Sequence, residues 1–228
     1  MLTRTAASPG PGQPISASSK QSLADSTALL GSIELMGASV PFARNEEIYG
    51  EGEPAEYVYK VLRGAVRVYK VLSDGRRQIS AFCLPGDIFG LEPGDEHTFS
   101  ADAISDSTIL VVKRSAVTAL AGRDIASARQ LWNVTARELQ QMQDHVLLLI
   151  KSAQERIASF LLQMAHRIPS ANEIELPMSR QDIADYLGLT IETVSRTLTQ
   201  LENSAAIALP ASRRVIIRNR GVLNQLNS

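Results

Sequence analysis

The sequence predicts an α+β chain with three parts: an N-terminal β-barrel or jelly roll, a long helix, and a C-terminal winged helix-turn-helix. Three observations predict it. Over residues 41–113, short runs of alternating apolar and polar residues are divided by glycine corners, as in small antiparallel barrels. Over residues 126–151, apolar residues recur at alternating steps of three and four, the spacing of a coiled-coil seam. Over residues 179–203, SRQDIADYLGLTIETVSRTLTQLEN, two capped helical patterns flank a glycine.

Residues 1–25 are rich in Ser, Ala, Pro and Gly. They carry too little apolar surface to offset the entropy of ordering and are expected to form a flexible arm. A short amphipathic helix is expected over 26–36, opening a barrel domain that runs to residue 125. In that domain Gly50-Glu51-Gly52-Glu53-Pro54 is a turn, residues 57–62 and 65–72 alternate as strands, and Gly64 separates them. Ser73-Asp74-Gly75 is a hairpin signal. Residues 77–84 return, Pro85-Gly86-Asp87 turns the chain again, and residues 107–112 make a late strand.

In the long helix of residues 126–151, Trp132, Thr135, Leu139, Met142, Val146, Leu149 and Ala153 form the seam. At about 1.5 Å per residue the helix extends roughly 40 Å. The seam suits a homodimer. The other reading is a core helix against the barrel, and the off-seam Leu147, Leu148 and Ile150 predict that the helix does both. Ser152 with Glu155 is a capping box that ends it and starts another helix over 153–167. Residues 152–228 form the last domain.

In that domain Ser179 is an N-cap, with Asp182 three residues on. Ile183, Ala184 and Leu187 give the first helix its apolar face, and Gly188 ends it in a left-handed turn. Thr190 caps the second helix, in which Ile191, Val194, Leu198 and Leu201 form the stripe expected to bury. Glu192, Ser195, Arg196 and Thr199 lie opposite. Their chemistry suits the edges of bases in a major groove: Arg donates twice to guanine, Glu accepts from the cytosine amine, and Ser is short and adaptable. An i,i+4 surface pair between Glu192 and Arg196 is the alternative. Residues 207–209 and 214–217 pair as a wing. Ser179, Arg180, Thr190, Thr193, Thr199, Arg213 and Arg214 are expected to touch the DNA backbone, which positions the protein without specifying sequence.

The chain has 228 residues, room for two modest domains. Its 23 Lys+Arg against 24 Asp+Glu remove any whole-chain charge argument for nucleic acid. The mildly basic end from Ser179 onward still fits a phosphate-facing surface. A single cysteine, Cys83, excludes an intramolecular disulfide and suggests a reducing cytoplasm. The start of the chain lacks an apolar signal core, and no apolar run is long enough to span a bilayer. Neither a nucleophile–base pair nor a metal-ligand cluster nor a phosphate loop with its lysine is present, so an enzyme is not expected.

The stretch IYGEGEPAEYVYKVLRGAVRVYKVLSDGRRQISAFCLPGDIFGLE resembles the effector domain of the CRP/FNR family, with Gly50, Gly52, Gly64, Gly75, Gly86 and Gly90 at its corners. Together with the helix-turn-helix, the resemblance covers about residues 41–217. It implies a cyclic-nucleotide-binding-like barrel, a dimerisation helix, and a cytoplasmic transcription regulator that binds double-stranded DNA and touches RNA polymerase. Glu192, Ser195 and Arg196 match the Glu-x-x-Ser-Arg pattern of the FNR and FixK branch. An arginine that the CRP branch carries just before the Glu is Ile191 here. The resemblance therefore implies a TTGA half-site with TCAA as its partner, in oxygen-limited or nitrogen-fixation-related gene control. Arg196 would read guanine, Glu192 the cytosine of the same pair, and Ser195 would lie near a thymine. Arg76, Arg77, Ser80 and Asp87 are the implied polymerase contact.

The resemblance also marks what is missing. Family members that bind cyclic nucleotides hold the phosphate with an Arg-Ser pair. Here, after Phe89-Gly90-Leu91-Glu92, that place reads Phe99-Ser100, and a ring cannot neutralise a buried phosphate. Cyclic AMP is not an expected ligand. Four cysteines for an iron–sulfur cluster are absent, His97 has no evident second haem ligand, and His145 and His166 read as structural or surface residues. No cofactor is expected. Cys83, flanked by Phe82 and Leu84, reads as a small core residue, and Ser179 stands where some FixK-like members carry a cysteine. The alternative function is a sensor whose barrel binds a small molecule that gates DNA binding.

Overall fold

The computed structural model describes residues 35–168 and 173–227. Eight strands build the N-terminal part: β1 (Ala38–Phe42), β2 (Glu47–Tyr49), β3 (Tyr57–Arg63), β4 (Val66–Val71), β5 (Arg77–Cys83), β6 (Ile88–Phe89), β7 (Ser100–Ala103) and β8 (Ser107–Lys113). They form two antiparallel four-stranded sheets, in the orders β1-β8-β3-β6 and β2-β7-β4-β5. Tyr59, Val61 and Ile109 from the first sheet share a buried cluster with Tyr49, Val66 and Ala101 from the second. This is the jelly-roll arrangement the alternating runs predict. The helix expected over 26–36 falls mostly outside the described residues, as does the arm of residues 1–25.

Strand β3 is buried along most of its length, which its alternation alone does not suggest. The reason is α1 (Arg114–Arg123), a helix that covers the outer face. Its Val117 packs with Val58, Leu110 and Val112. Its pattern is weakly amphipathic, so periodicity alone does not reveal it.

Gly64 has φ +86°, and a Cβ there would lie 2.6 Å from the Asp106 carbonyl oxygen and 2.2 Å from Ser107 Oγ. Gly64→Ala is therefore expected to destabilise the fold by roughly 2–4 kcal/mol, from left-handed strain together with overpacking against backbone. Urea unfolding of the variant checks this.

Asp124 caps α2 (Ile125–Leu149) by accepting from the amides of Ala126 and Ser127. The helix packs on the core as expected, and most of its seam residues face outward. Leu148 is buried in the C-terminal core, while Trp132, Leu139, Met142 and Val146 are exposed at 73%, 61%, 44% and 61%. Leu149 and Ala153 are half-buried. The Ser152–Glu155 capping box is formed and starts α3 (Ala153–Arg167). The core then runs unbroken from barrel residues Ile79, Phe82 and Leu84 through Ile157, Phe160 and Leu161 of α3 to the C-terminal helices. Barrel and C-terminal domain thus share one hydrophobic cluster.

Candidate nucleic-acid interface

The C-terminal domain starts from β9 (Glu173–Glu175), which joins β10 (Ile207–Ala211) and β11 (Arg214–Ile217) in the order β10-β11-β9. Between them lie α4 (Arg180–Leu187) and α5 (Ile191–Asn203). Both caps form as the sequence predicts. Ser179 Oγ accepts from the Asp182 amide, and the Asp182 carboxylate accepts from the Ser179 amide at 2.9 Å. Gly188 is left-handed at φ 61°, and Thr190 Oγ1 accepts from the Thr193 amide. Arg156 of α3 donates to the carbonyl oxygen of Leu187 at 2.8 Å, satisfying the end of α4 and fixing the turn.

Val194, Leu198 and Leu201 are buried, but Ile191 is 37% exposed. The buried stripe is one residue shorter than expected, because Ile191 is the first residue of α5 and lies at the helix end. Thr197 is buried in its stead, a polar residue that the apolar pattern could not flag.

On the outer face Glu192, Arg196, Thr199 and Gln200 are exposed. Glu192 lies at the helix N-terminus, where backbone hydrogen bonding and then the Thr190 hydroxyl hold its carboxyl below the usual range. It stays ionised and able to accept from an amine. Among the described residues no ion pair engages Arg196, so its guanidinium is unclaimed. Ser195 is half-buried beneath Arg180, whose Nη1 donates to Ser195 Oγ at 3.3 Å. Thr199 Oγ1 donates back to the Ser195 carbonyl.

The other residues expected to touch the DNA backbone lie at the starts of the two helices or in the wing. Ser179 is occupied as a cap, Thr190 and Thr193 bond each other at 3.1 Å, and Arg213 donates to the Pro177 carbonyl. Arg214 is ion-paired with Glu173 and about half exposed. Helix α6 (Arg220–Asn227) has no counterpart among the elements the sequence predicts. Leu223 buries it, and the Lys151 ammonium donates to the Asn227 carbonyl.

Two of the four residues proposed to touch polymerase face inward. Arg77 is ion-paired with Asp182 and Asp185 of α4, and Asp87 with Arg167 of α3. Ser80 Oγ donates to the Val68 carbonyl across the sheet. Arg76 remains outward, beside Asp74 on the hairpin tip. The barrel's charged edge is turned toward its own C-terminal domain, which a strand pattern does not reveal.

Inside the barrel, rings occupy the space. Tyr49 stacks on His97 at 3.6 Å, and Tyr59 stacks on Phe89 at 5.2 Å. His97 is 2% exposed and lies 3.3 Å from a Glu92 oxygen, so the loop position read from the sequence is a buried one. Phe99, in place of the phosphate arginine, sits under the Lys70 ammonium. His166 is exposed, and His145 packs on Tyr186, where burial lowers its pKa.

Cys83 is buried, and burial pushes its thiol well above the usual range. Every pH unit by which a thiol pKa rises removes about tenfold of the reactive thiolate at neutral pH. Native protein is therefore expected to react with an aromatic disulfide reagent at least about 100-fold more slowly than urea-unfolded protein, as thiol titration would check.

Comparison with known proteins supplies the family. Residues 39–124 match the cyclic nucleotide-binding domain, and residues 155–226 match the Crp-like helix-turn-helix domain. The chain is 53% identical to the nitrogen fixation regulation protein FixK of Azorhizobium caulinodans, over 86% of this chain and 82% of that one. It is 42% identical to the FixK of Rhizobium meliloti, over 79% and 82%. Among solved structures, FixK2 from Bradyrhizobium japonicum matches with a TM-score of 0.82 and 53% identity, covering 84% of this chain and 98% of that one. Fold, capped helix pair and relatives agree, and the chain belongs to the CRP/FNR family of transcription regulators, among the FixK-type members.

Proposed function

We propose that the protein is a homodimeric, sequence-specific activator that reads a TTGA-type palindrome, without an effector, in the control of nitrogen-fixation or oxygen-limited genes. The observation that carries this is the recognition face of α5. Glu192 is ionised, Arg196 has no claim on its guanidinium among the described residues, and both stand one turn apart on an exposed face. They can address the two members of one G·C pair. The names of the FixK relatives support the regulatory setting.

Dimerisation runs through Trp132, Leu139, Met142 and Val146 of α2, large apolar side chains that a lone chain leaves in water. Two-fold symmetry then matches two half-sites about one helical turn apart. Inside the barrel Tyr49 packs on His97 and Tyr59 on Phe89, and Phe99 stands where the phosphate arginine would be, which supports independence from cyclic nucleotides. Among the described residues no helix is long and apolar enough to cross a membrane. The working compartment is the cytoplasm, with DNA and RNA polymerase as partners and the hairpin tip around Arg76 as the polymerase-facing surface.

Competition between a TTGA palindrome and a TGTGA palindrome tests the half-site. Preference for TTGA supports the reading, and preference for TGTGA overturns it. A gating ligand is the second reading. The observation that favours it is a cavity of about 650 Å³ between barrel and C-terminal domain, lined among others by Arg44, Leu84, Ile104, Arg167 and Arg213. Specific binding that appears only with added cell extract would favour that reading.

A further inference from the structure

Two arginines of the barrel reach into the cap of the first helix of the helix-turn-helix. Arg67 of β4 bonds Asp182 through Nη1 at 2.7 Å and Asp102 of β7 through Nη2 at 2.8 Å. Arg77 of β5 bonds Asp182 through Nη2 at 2.7 Å and Asp185 through Nε at 2.8 Å. Asp182 is the residue that caps α4 together with Ser179. Its side chain is 5% exposed, against 13% for Arg67 and 24% for Arg77, so these pairs are screened far less than surface pairs.

The charges of this cluster do not cancel by count. Arg67 and Arg77 face Asp102, Asp182 and Asp185, and the N-terminus of α4 supplies the remaining positive potential at Asp182. Burial alone would raise the Asp182 carboxyl, but the Ser179 hydrogen bonds and the two guanidinium groups outweigh it and hold the pKa below its ordinary value. Beside the cluster, Gln78 donates to the Tyr186 carbonyl, and Phe82 packs on the Tyr186 ring at 5.1 Å. These contacts lie at the end and along the inner side of α4, while Ser179 and Arg180, one step away, belong to the proposed DNA-facing side.

We infer that Arg67 and Arg77 are positioning residues for DNA recognition: they clamp α4 to the β4–β5 sheet and thereby set the orientation of the recognition helix without touching DNA. The clamp joins the β4–β5 sheet directly to the cap of α4. It gives the regulator a fixed spacing between its two recognition helices, and this part rests on the dimeric palindrome reading above. Loosening it lets the C-terminal domains swing, and the free protein then spreads over orientations of which few fit the operator.

The test compares full-length wild type with Arg77→Met and with Asp185→Asn, the second being nearly isosteric and kept in case the first does not fold. Each is titrated with duplexes whose TTGA and TCAA half-sites are separated by six base pairs, by one fewer and by one more. Wild type is expected to discriminate against the altered spacings. The variants are expected to shrink that discrimination by about fivefold or more while melting within a few degrees of wild type. Unchanged spacing discrimination in both variants overturns the inference, because mere loss of stability would weaken binding to all spacings alike.

A second readout needs no DNA. Nitroxide labels on Asp74→Cys and Gln200→Cys report the distance from barrel to recognition helix, with buried Cys83 left in place. A narrow distribution in wild type that broadens in Arg77→Met or Asp185→Asn supports the clamp, and equal widths overturn it. If wild type fails to prefer the TTGA palindrome, the half-site reading falls while the label distances still decide the clamp.

Discussion

Arg196→Ala is expected to weaken binding to a TTGA palindrome by about 1–3 kcal/mol per half-site, roughly 5- to 150-fold, and to flatten discrimination at the G·C pair. The reasoning runs from the helix outward. Val194, Leu198 and Leu201 bury one side of α5 and so fix which residues face away. Arg196 is exposed and carries no ion pair among the described residues, so little has to be broken before it can bond a base. Two donors in a rigid fork match the two acceptors of a guanine edge. Removing them costs affinity for the cognate pair and leaves substituted pairs nearly unaffected. The check is a set of duplexes with every base at that position. If Arg196 touched only phosphate, all of them would weaken together, and the salt slope would fall by about one for each phosphate no longer neutralised.

Leu139→Glu combined with Val146→Glu is expected to have the larger effect. Both side chains are 61% exposed in the single chain, and both lie on the seam of α2. In a dimer each would bury against the partner helix, with about 1.5–3 kcal/mol per side chain at stake. Two positions in two chains make four side chains, so the dimer should lose at least about 6 kcal/mol, or roughly 10⁴-fold in its dissociation constant. The folded core is untouched, since neither residue belongs to it. Sedimentation should therefore show a folded monomer, and specific binding to the palindrome should vanish with the dimer. A variant that stays dimeric would move the interface elsewhere.

Much of the fold was legible because its signals are local. Ser152 with Glu155, Ser179 with Asp182, Gly188 and Thr190 each act within four residues, and all four stand as read. The alternating strands and their glycine corners were equally plain. What stayed hidden depends on contacts distant in sequence. Helix α1 has too little amphipathic contrast to be seen until Val58 and Leu110 are known to lie beneath it. Helix α6 is short, and its single fully buried anchor, Leu223, gives no period. His97 reads as a loop residue by its acidic neighbours, yet it is stacked inside the barrel on Tyr49.

That Glu192, Arg196 and Thr199 share one exposed face of α5 was likewise readable from residue types at helical spacing, while the surroundings of that face were not. That Arg180 covers Ser195, or that Arg77 points at α4 instead of outward, is decided by how distant parts of the chain pack together. A pattern reading sees Arg77 as a charge on a strand edge. The structure makes it part of a buried cluster with Asp182 and Asp185.

The exposed Glu192 and Arg196 on α5 and the exposed seam of α2 predict that this chain binds a TTGA palindrome specifically and needs no ligand to do so. Binding of purified, effector-free protein to a TTGA-N6-TCAA duplex, against a scrambled duplex at one fixed salt concentration, tests it most directly. The expected result is binding by the dimer about 10³-fold tighter, or more, to the palindrome. Equal affinity for the two duplexes would contradict it.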